Sequence, residues 1–312
     1  MPSSIHVSGL VDVSATETAQ EIEFGVEVRS QWRTIVRRFV RHRLAMISLV
    51  VLLIIFLASI FGKYLWRFDY LERDTKNLSQ GPSWTHPFGT DSLGKDMLAL
   101  TLRGAQRSIL IALVVSVLST TIGVTLGAIS GYFRGWTDAV IMRITDLLLT
   151  IPLLILAGCL AWQFQGSGSW WMLSLILGVL SWQGTARIVR GEFLSLREKE
   201  FVEAARAIGV RDRRIIFRHI LPNALGPIIV SATLAIAGAI LVETALSYLG
   251  LGVKAPDSSL GLLVSDYQAA FQTRPWLFWF PGVFIIVICL SVNFIGDGLR
   301  DAFDPKQTRV RA

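Results

Sequence analysis

A glycine-rich stretch, GTDSLGKD from Gly89 to Asp96, comes close to the phosphate-binding pattern G-x-x-x-x-G-K-[S/T]. In that pattern backbone N–H groups cradle phosphates, the lysine reaches the terminal phosphates, and a hydroxyl group coordinates magnesium. Here Asp96 stands where the hydroxyl is needed, and its negative charge would repel phosphate. No strand pattern precedes the stretch. The sequence therefore predicts that this chain binds no nucleotide itself.

Other chemistry-bearing patterns are sparse. The apolar segments carry no nucleophile–base pair and no paired carboxylates, and the four histidines lack metal-ligand spacing. Cys159 and Cys289 both lie inside apolar runs, so we interpret them as small buried residues and not as a disulfide. We expect no catalytic, cofactor or metal site in this chain.

One carboxylate, Glu243, lies deep in an apolar segment, where an ionisable group is costly and indicates function. It follows Pro222 by 21 residues, which along a helix is roughly 30 Å and places it near the outer end of the segment. Glu243 is therefore a candidate outer gate or subunit contact. A carboxylate that is simply hydrogen-bonded at the interface is the alternative.

The longest strongly charged segment runs from Glu198 to Asn223 and lies between apolar runs. An S-x-x-E capping pair beginning at Ser195 predicts a helix start, and Gly209 lies where a left-handed helix cap is expected. A second basic helix, 210–219, is predicted to stop near Pro222. A helix–turn–helix of this kind suits insertion into a partner's groove. A loop lying on lipid headgroups is the alternative.

The composition indicates a membrane protein, and its long apolar runs predict an all-α fold. Of 312 residues, 52% are hydrophobic and only 17% are charged. The 40 uncharged residues of 147–186 are too many for one span, and the glycine-rich stretch 163–169 is predicted to divide them. Six transmembrane helices are predicted, at about 44–61, 108–131, 139–161, 170–188, 222–248 and 277–295.

These spans define a cytoplasmic tail (1–43), a transmembrane domain (44–300) with a cytoplasmic loop (189–221), and a second cytoplasmic tail (301–312). With the amino terminus inside, the inner segments carry 21 of the 30 lysines and arginines and the outer segments carry 9. This asymmetry predicts that both termini are cytoplasmic. The net charge of +7 is then explained by basic residues at the cytoplasmic side of the membrane, and no nucleic-acid partner is needed to explain it.

Two motifs carry a family resemblance. Glu203-Ala204-Ala205, followed by Gly209 and by Leu221-Pro222, resembles the EAA loop of ABC importer permeases. The usual isoleucine two places before Leu-Pro is His219 here. The stretch HPFGTDSLGKD, which begins at His86, resembles H-P-L-G-T-D-x-x-G-R-D of dipeptide and oligopeptide permeases, with a lysine for the arginine.

A third motif, ETALSYLGLG from Glu243, resembles E-x-x-L-S-F-L-G-L-G of the same permeases. The resemblance covers nearly all of residues 29–305 and implies a type I ABC importer permease with six transmembrane helices and a cytoplasmic EAA coupling helix. It implies a bacterial plasma-membrane location, a homologous permease as heterodimer partner, two cytoplasmic ATPase subunits, and an extracytoplasmic solute-binding protein. ATP and magnesium would be bound by the ATPase partners and not by this chain.

The resemblance also implies roles for single residues. Glu203 would anchor the docked helix on the ATPase partner. Ala204 and Ala205 would permit close approach of the two proteins, and Gly209 would permit the turn. The same ATPase-coupling set includes Arg213, Leu221 and Pro222.

The favoured function is therefore a permease subunit of an ATP-driven importer of di- or oligopeptides, which forms the translocation path and couples through residues 198–218. Relatives of this architecture carry dipeptides, longer peptides, nickel chelates or glutathione, and the sequence does not select among them. An ion-gradient-driven transporter or channel that uses Glu243 is the alternative, and a membrane-anchored scaffold is a third hypothesis.

Overall fold

The computed structural model describes residues 31–164 and 170–303. Within these ranges the regular structure is helical, apart from an isolated bridge between Thr90 and Asp96. The predicted glycine-rich break at 163–169 falls mostly outside the described residues, as does most of both predicted tails.

Eleven helices organise the described residues. They are α1 (Gln31–Arg41), α2 (Arg43–Leu65), α3 (Met97–Phe133), α4 (Gly135–Thr150), α5 (Leu153–Gln163), α6 (Trp170–Leu180), α7 (Gln183–Arg197), α8 (Glu200–Ala207), α9 (Asp212–Tyr248), α10 (Leu260–Tyr267) and α11 (Trp276–Phe303).

The described helices include five elements long and apolar enough to cross a membrane: α2, α3, α6 with α7, α9, and α11. A sixth candidate is the pair α4 and α5, which are bent by 83° relative to each other. The span predicted at about 139–161 falls within this bent pair, so the apolar run is interrupted by a sharp bend. Pro152 lies at the bend, where it lacks a backbone N–H and disfavours a helical conformation at Ile151.

Several helices extend beyond the predicted spans. Helix α3 begins at Met97 and not near residue 108, because the Asp96 side chain accepts a hydrogen bond from the Ala99 N–H and caps the helix. At the other limits α2 extends to Leu65 and α11 to Phe303. The predicted tail 1–43 contains α1, so its last third is helical.

Two local predictions around the charged segment are wrong. Ser195 lies inside α7 and caps no helix, and Lys199 directly precedes α8. Helix α9 also continues through Pro222 instead of stopping there. A π-helical turn, Ile215–Ile220, ends two residues before this proline, and its wider backbone accommodates a ring that would clash with a regular α-helical turn.

Close packing of α3 against α7 forms the centre of the bundle. A Cβ atom at Gly123 would lie 2.7 Å from the Thr185 Cβ, and one at Gly127 only 2.5 Å from the Ala186 carbonyl oxygen. At Gly131 it would lie 2.7 Å from the Arg190 carbonyl oxygen. Glycine at every fourth position thus lets the two helices approach closely, so these small residues have an intramolecular partner.

The bundle has two chemically different ends. One end, here called the basic end, carries α1, the turn between α3 and α4, the segment 198–211, and the last turns of α11. The opposite end carries the connection 66–96, the start of α3, and α10. The candidate coupling residues lie at the basic end, and Glu243 lies in the half of α9 that approaches the opposite end.

Candidate functional site

The loop between α8 and α9 turns at Gly209, which has φ of +76°. The Gly209 N–H donates to the Arg206 carbonyl (2.9 Å), and the Val210 N–H donates to the Ala205 carbonyl (3.0 Å). This pair of bonds is a Schellman motif, which closes a helix with a left-handed residue. The predicted left-handed cap is therefore confirmed.

Helix α8 buries one face and exposes the other. Val202 and Ala205 are buried against a cluster that includes Ile215 and Ile220 of α9. Glu203 and Ala204 are exposed. Of the three motif residues, only the last packs inside the chain, and the first two lie on the free surface.

The remaining coupling candidates surround the same loop. Arg213 and Pro222 are exposed, and Leu221 is half-buried beside the cluster that holds Ala205. Two large apolar side chains are also exposed: Phe201 on α8 and Ile208, the residue that follows α8. The loop therefore offers an exposed surface of apolar, small and charged side chains on a backbone that the bundle holds from behind.

Tyr132, at the end of α3, joins both arms of the loop. Its hydroxyl donates to the Asp212 carboxylate at the start of α9, and Arg197 at the end of α7 donates to its carbonyl oxygen. The Arg206 guanidinium lies over its ring, 5.5 Å from the centroid. Sequence reasoning missed this residue. The available signal was a buried-type aromatic residue at the end of an uncharged run.

An ion pair fixes the turn after α3. Arg190 Nε and a second guanidinium nitrogen donate to the two oxygens of Asp138, at 2.6 and 2.7 Å. This bidentate geometry is the strong form of the arginine–carboxylate pair. It ties α4 to α7. A second ion pair, between Asp146 of α4 and Arg187 of α7, joins the same two helices.

Glu243 lies inside the chain with no exposed surface. Its carboxylate accepts hydrogen bonds from the Ser247 hydroxyl (2.7 Å) and the Ser108 hydroxyl (3.1 Å). The Ser108 oxygen in turn accepts from the Leu260 N–H at 3.2 Å. The carboxylate therefore joins α9, α3 and α10. Because Glu243 is buried inside this chain, it would affect a subunit interface only through the residues that surround it. Its role as a gate stays a prediction.

We expect Glu243→Ala to lower the free energy of unfolding by about 2–4 kcal/mol, because two buried hydroxyls lose their acceptor and a cavity is left. Glu243→Gln is the matched control, since it keeps the size and one acceptor oxygen. Thermal unfolding of the detergent-purified chain checks the prediction. Equal melting temperatures for the alanine variant and the wild type would contradict it.

The stretch Gly89–Asp96 is a structural loop at the opposite end. Asp96 accepts from Trp66 Nε1 (3.1 Å) and lies 2.8 Å from His86 Nδ1. His86 is fully buried and its ring stacks on Phe68. The carboxylate that replaces the magnesium-binding hydroxyl thus faces donors from its own chain.

A tyrosine links this loop to α10. The Tyr267 hydroxyl donates to an oxygen of Asp91 at 3.0 Å. Burial, and secondly the negative charge of Asp91, raise the pKa of Tyr267 above its ordinary value. The phenol therefore stays protonated and keeps its donor role across the pH range in which the protein is handled.

The long apolar helices and the exposed loop between α8 and α9 together define a class of protein. It is a multi-span helical membrane protein with an exposed helix–turn–helix at its basic end. Residues 123–309 match the family of binding-protein-dependent transport system inner membrane components. Residues 30–82 match the N-terminal TM domain of oligopeptide transport permease C. Because the first match covers more than half of the chain, the chain belongs to the family of binding-protein-dependent transport system inner membrane components.

Relatives agree over most of the length. The oligopeptide transport system permease protein OppC of Mycobacterium bovis is 44% identical over 285 residues, which is 91% of this chain and 98% of that protein. The protein of the same name from Bacillus subtilis is 41% identical over 277 residues, 89% and 90% of the two chains. The predicted family is confirmed, and these relatives are named as permease proteins of transport systems.

The fold is similar to that of a solved transporter. An inward-facing structure of the MetNI methionine ABC transporter superposes with a TM-score of 0.55, at 20% identity. The superposition covers 67% of this chain and 98% of the other chain. The predicted fold class, a helical permease of the type I ABC importer class, is confirmed.

Proposed function

We propose that this chain is the permease subunit of an ATP-driven importer of di- or oligopeptides, and that it receives energy through the loop 198–218. The observation that carries the proposal is the loop itself. It exposes Glu203 and Ala204 beside the apolar side chains of Phe201 and Ile208, while its inner face is tied to three helices of the bundle. The peptide substrate is supported by the names of the relatives.

In the proposed assembly the basic end faces the cytoplasm, with both termini on that side. Two ATPase subunits bind ATP and magnesium and dock on this chain and on a homologous permease. A solute-binding protein delivers substrate to the opposite end. In this assembly the ATPase subunits, and not this chain, hydrolyse ATP.

The mechanism is a shift between two conformations of the bundle. ATP stabilises the closed ATPase pair, and this differential binding favours one state of the permease. Glu203 and Arg213 give the docked surface its charges, and the small Ala204 lets the partner backbone approach. Gly209 holds the turn, while Ala205, Leu221 and Pro222 connect the loop to the bundle. Glu243 joins the helices at the gate on the far side.

The first test is to purify the tagged chain in mild detergent and to identify every chain that accompanies it. We expect a second six-span permease and ATPase subunits, and peptide uptake into liposomes that requires ATP and the binding protein. A lone chain that moves solute under an ion gradient, with no ATPase present, would instead support a secondary transporter that uses Glu243.

We expect Tyr132→Phe to lower uptake by about three- to tenfold, the effect of losing a hydrogen bond worth roughly 1 kcal/mol between α3 and the loop. The ring and its arginine contacts remain, so the amount of inserted protein should not change. Tyr64→Phe is the matched control, because the Tyr64 side chain is largely exposed. Uptake is compared at equal amounts of reconstituted transporter. Identical rates for both variants would exclude this role for the hydroxyl.

A further inference from the structure

The exposed face of helix α1 carries two rows of side chains, one of arginines and one of valines. Arg33, Arg37 and Arg41 recur every four residues and are all exposed. Val36 and Val40 form a second row beside them and are 58% and 55% exposed. These five side chains line an open groove of about 490 Å³. Residues at such spacings share one side of a helix.

The other face of α1 packs against the bundle. Ile35 and Phe39 are half-buried, and the Phe39 ring lies 3.4 Å from the position of a Cβ atom built at Gly298 of α11. Among the described residues, no carboxylate forms an ion pair with Arg33, Arg37 or Arg41; the nearby Asp301 carboxylate instead faces His42, at 3.6 Å. Within residues 31–164 and 170–303, the arginine row thus has no carboxylate partner and can bind an external anion.

The exposed face continues into a lipid-covered surface. Helix α2, a candidate span, begins at Arg43, two residues after α1 ends. Its first outward side chains, Leu44 and Ile47, are 55% and 62% exposed. Lipid tails cover such side chains on a spanning helix. The position of α1 therefore corresponds to the level where tails meet headgroups.

We propose that this face of α1 binds the headgroups of anionic phospholipids. The three guanidinium groups donate to phosphate oxygens, a pairing that their planar geometry favours. The two valines enter the upper part of the acyl region, as the apolar side of an interfacial helix does. Each arginine near an anionic surface contributes to the attraction. The proposal does not depend on the solute carried or on the coupling loop.

The site is tested in nanodiscs that contain the full-length chain. In a Cys159→Ala background, Leu44→Cys carries a fluorescent label beside the proposed site. Brominated phosphatidylglycerol diluted in phosphatidylcholine, or brominated phosphatidylcholine diluted in phosphatidylglycerol, serves as the quencher at equal mole fraction. The ratio of quenching by the two lipids reports the local enrichment of the anionic lipid.

We expect phosphatidylglycerol to be enriched about fivefold at the label. This is the fold-change that corresponds to the attraction of a single arginine to an anionic membrane surface. The triple variant Arg33→Gln, Arg37→Gln, Arg41→Gln should bring the ratio close to one, and high salt should lower it in the wild type. A control that removes three charges at the opposite end, Arg67→Gln, Arg73→Gln, Lys76→Gln, should keep the enrichment.

Three results would overturn the proposal. One is equal quenching by both lipids in the wild type. The second is an enrichment that survives in the triple arginine variant. The third is an enrichment that the ATPase subunits abolish when they are added, because the face would then be a protein-docking surface. Since the readout is a lipid ratio and not transport, the first two results are independent of the proposed function, and only the third uses the proposed ATPase partners.

Discussion

Replacing Gly209 by valine is expected to lower ATP-driven uptake by at least about tenfold, because the residue holds a left-handed turn that a β-branched side chain adopts only at a cost of roughly 1–3 kcal/mol. A Cβ atom at this position would meet nothing within 4 Å. The expected defect is therefore conformational and not steric. The valine variant should lose the two Schellman bonds and present α8 at a wrong angle to its partner.

Asparagine distinguishes this explanation from a general intolerance of side chains at Gly209. Asparagine adopts the left-handed conformation more readily than other non-glycine residues, so Gly209→Asn should retain most of the uptake. Both variants should insert normally, because the loop lies outside the spans. Uptake and ATP hydrolysis are measured in proteoliposomes with equal amounts of transporter. Equal uptake by the valine variant and the wild type would remove the turn from the coupling mechanism.

The second large effect is expected at Gly127, where even one added methyl group should destabilise the bundle. The new Cβ would lie 2.5 Å from the Ala186 carbonyl oxygen and 2.9 Å from the Val189 Cβ. The backbone of a packed helix moves only at a cost in free energy, so α3 and α7 must separate to relieve the contact. We expect Gly127→Ala to cost about 1–3 kcal/mol of folding free energy, in the range of other overpacked sites.

Gly191→Ala is the matched control for this substitution. It lies in α7, and its added Cβ would meet nothing within 4 Å. Alanine has the higher helix propensity, so this variant should be unchanged or more stable by up to about 1 kcal/mol. The two changes are chemically identical, and the expected effects have opposite signs. Thermal unfolding and protease resistance in detergent measure both, and a Gly127→Ala variant as stable as the wild type would refute the close-packing argument.

The apolar runs predicted long helices that could cross a membrane, because apolar length is a local property. The predicted span begins at about residue 108, after the charged Arg103 and Arg107, whereas α3 begins at Met97. In the structure both guanidinium groups pair with Asp257, at 2.9 and 2.6 Å. That carboxylate lies about 150 positions later in the chain, so no local pattern contains the partner that makes these charges compatible with the helix.

The same distinction applies to the site. The turn at Gly209 follows from a local rule about helix ends and was predictable. The contact of Tyr132 with Asp212 joins residues 80 positions apart, and only the packed structure reveals it. Pro222 was misjudged because the rule for prolines assumes a regular α-helix, whereas here the preceding turn is a π-helix.

The passage of α9 through Pro222 has a mechanical consequence. A helix of 37 residues is a rod of roughly 55 Å, with the loop at one end and Glu243 near the other. If the rod stays straight, a tilt of only about 5° displaces one end by roughly 5 Å relative to the other over that length. The π-helical turn is the place where the rod can flex instead. The stiffness of these six residues therefore determines what fraction of a displacement at the basic end is transmitted to the opposite end of the bundle.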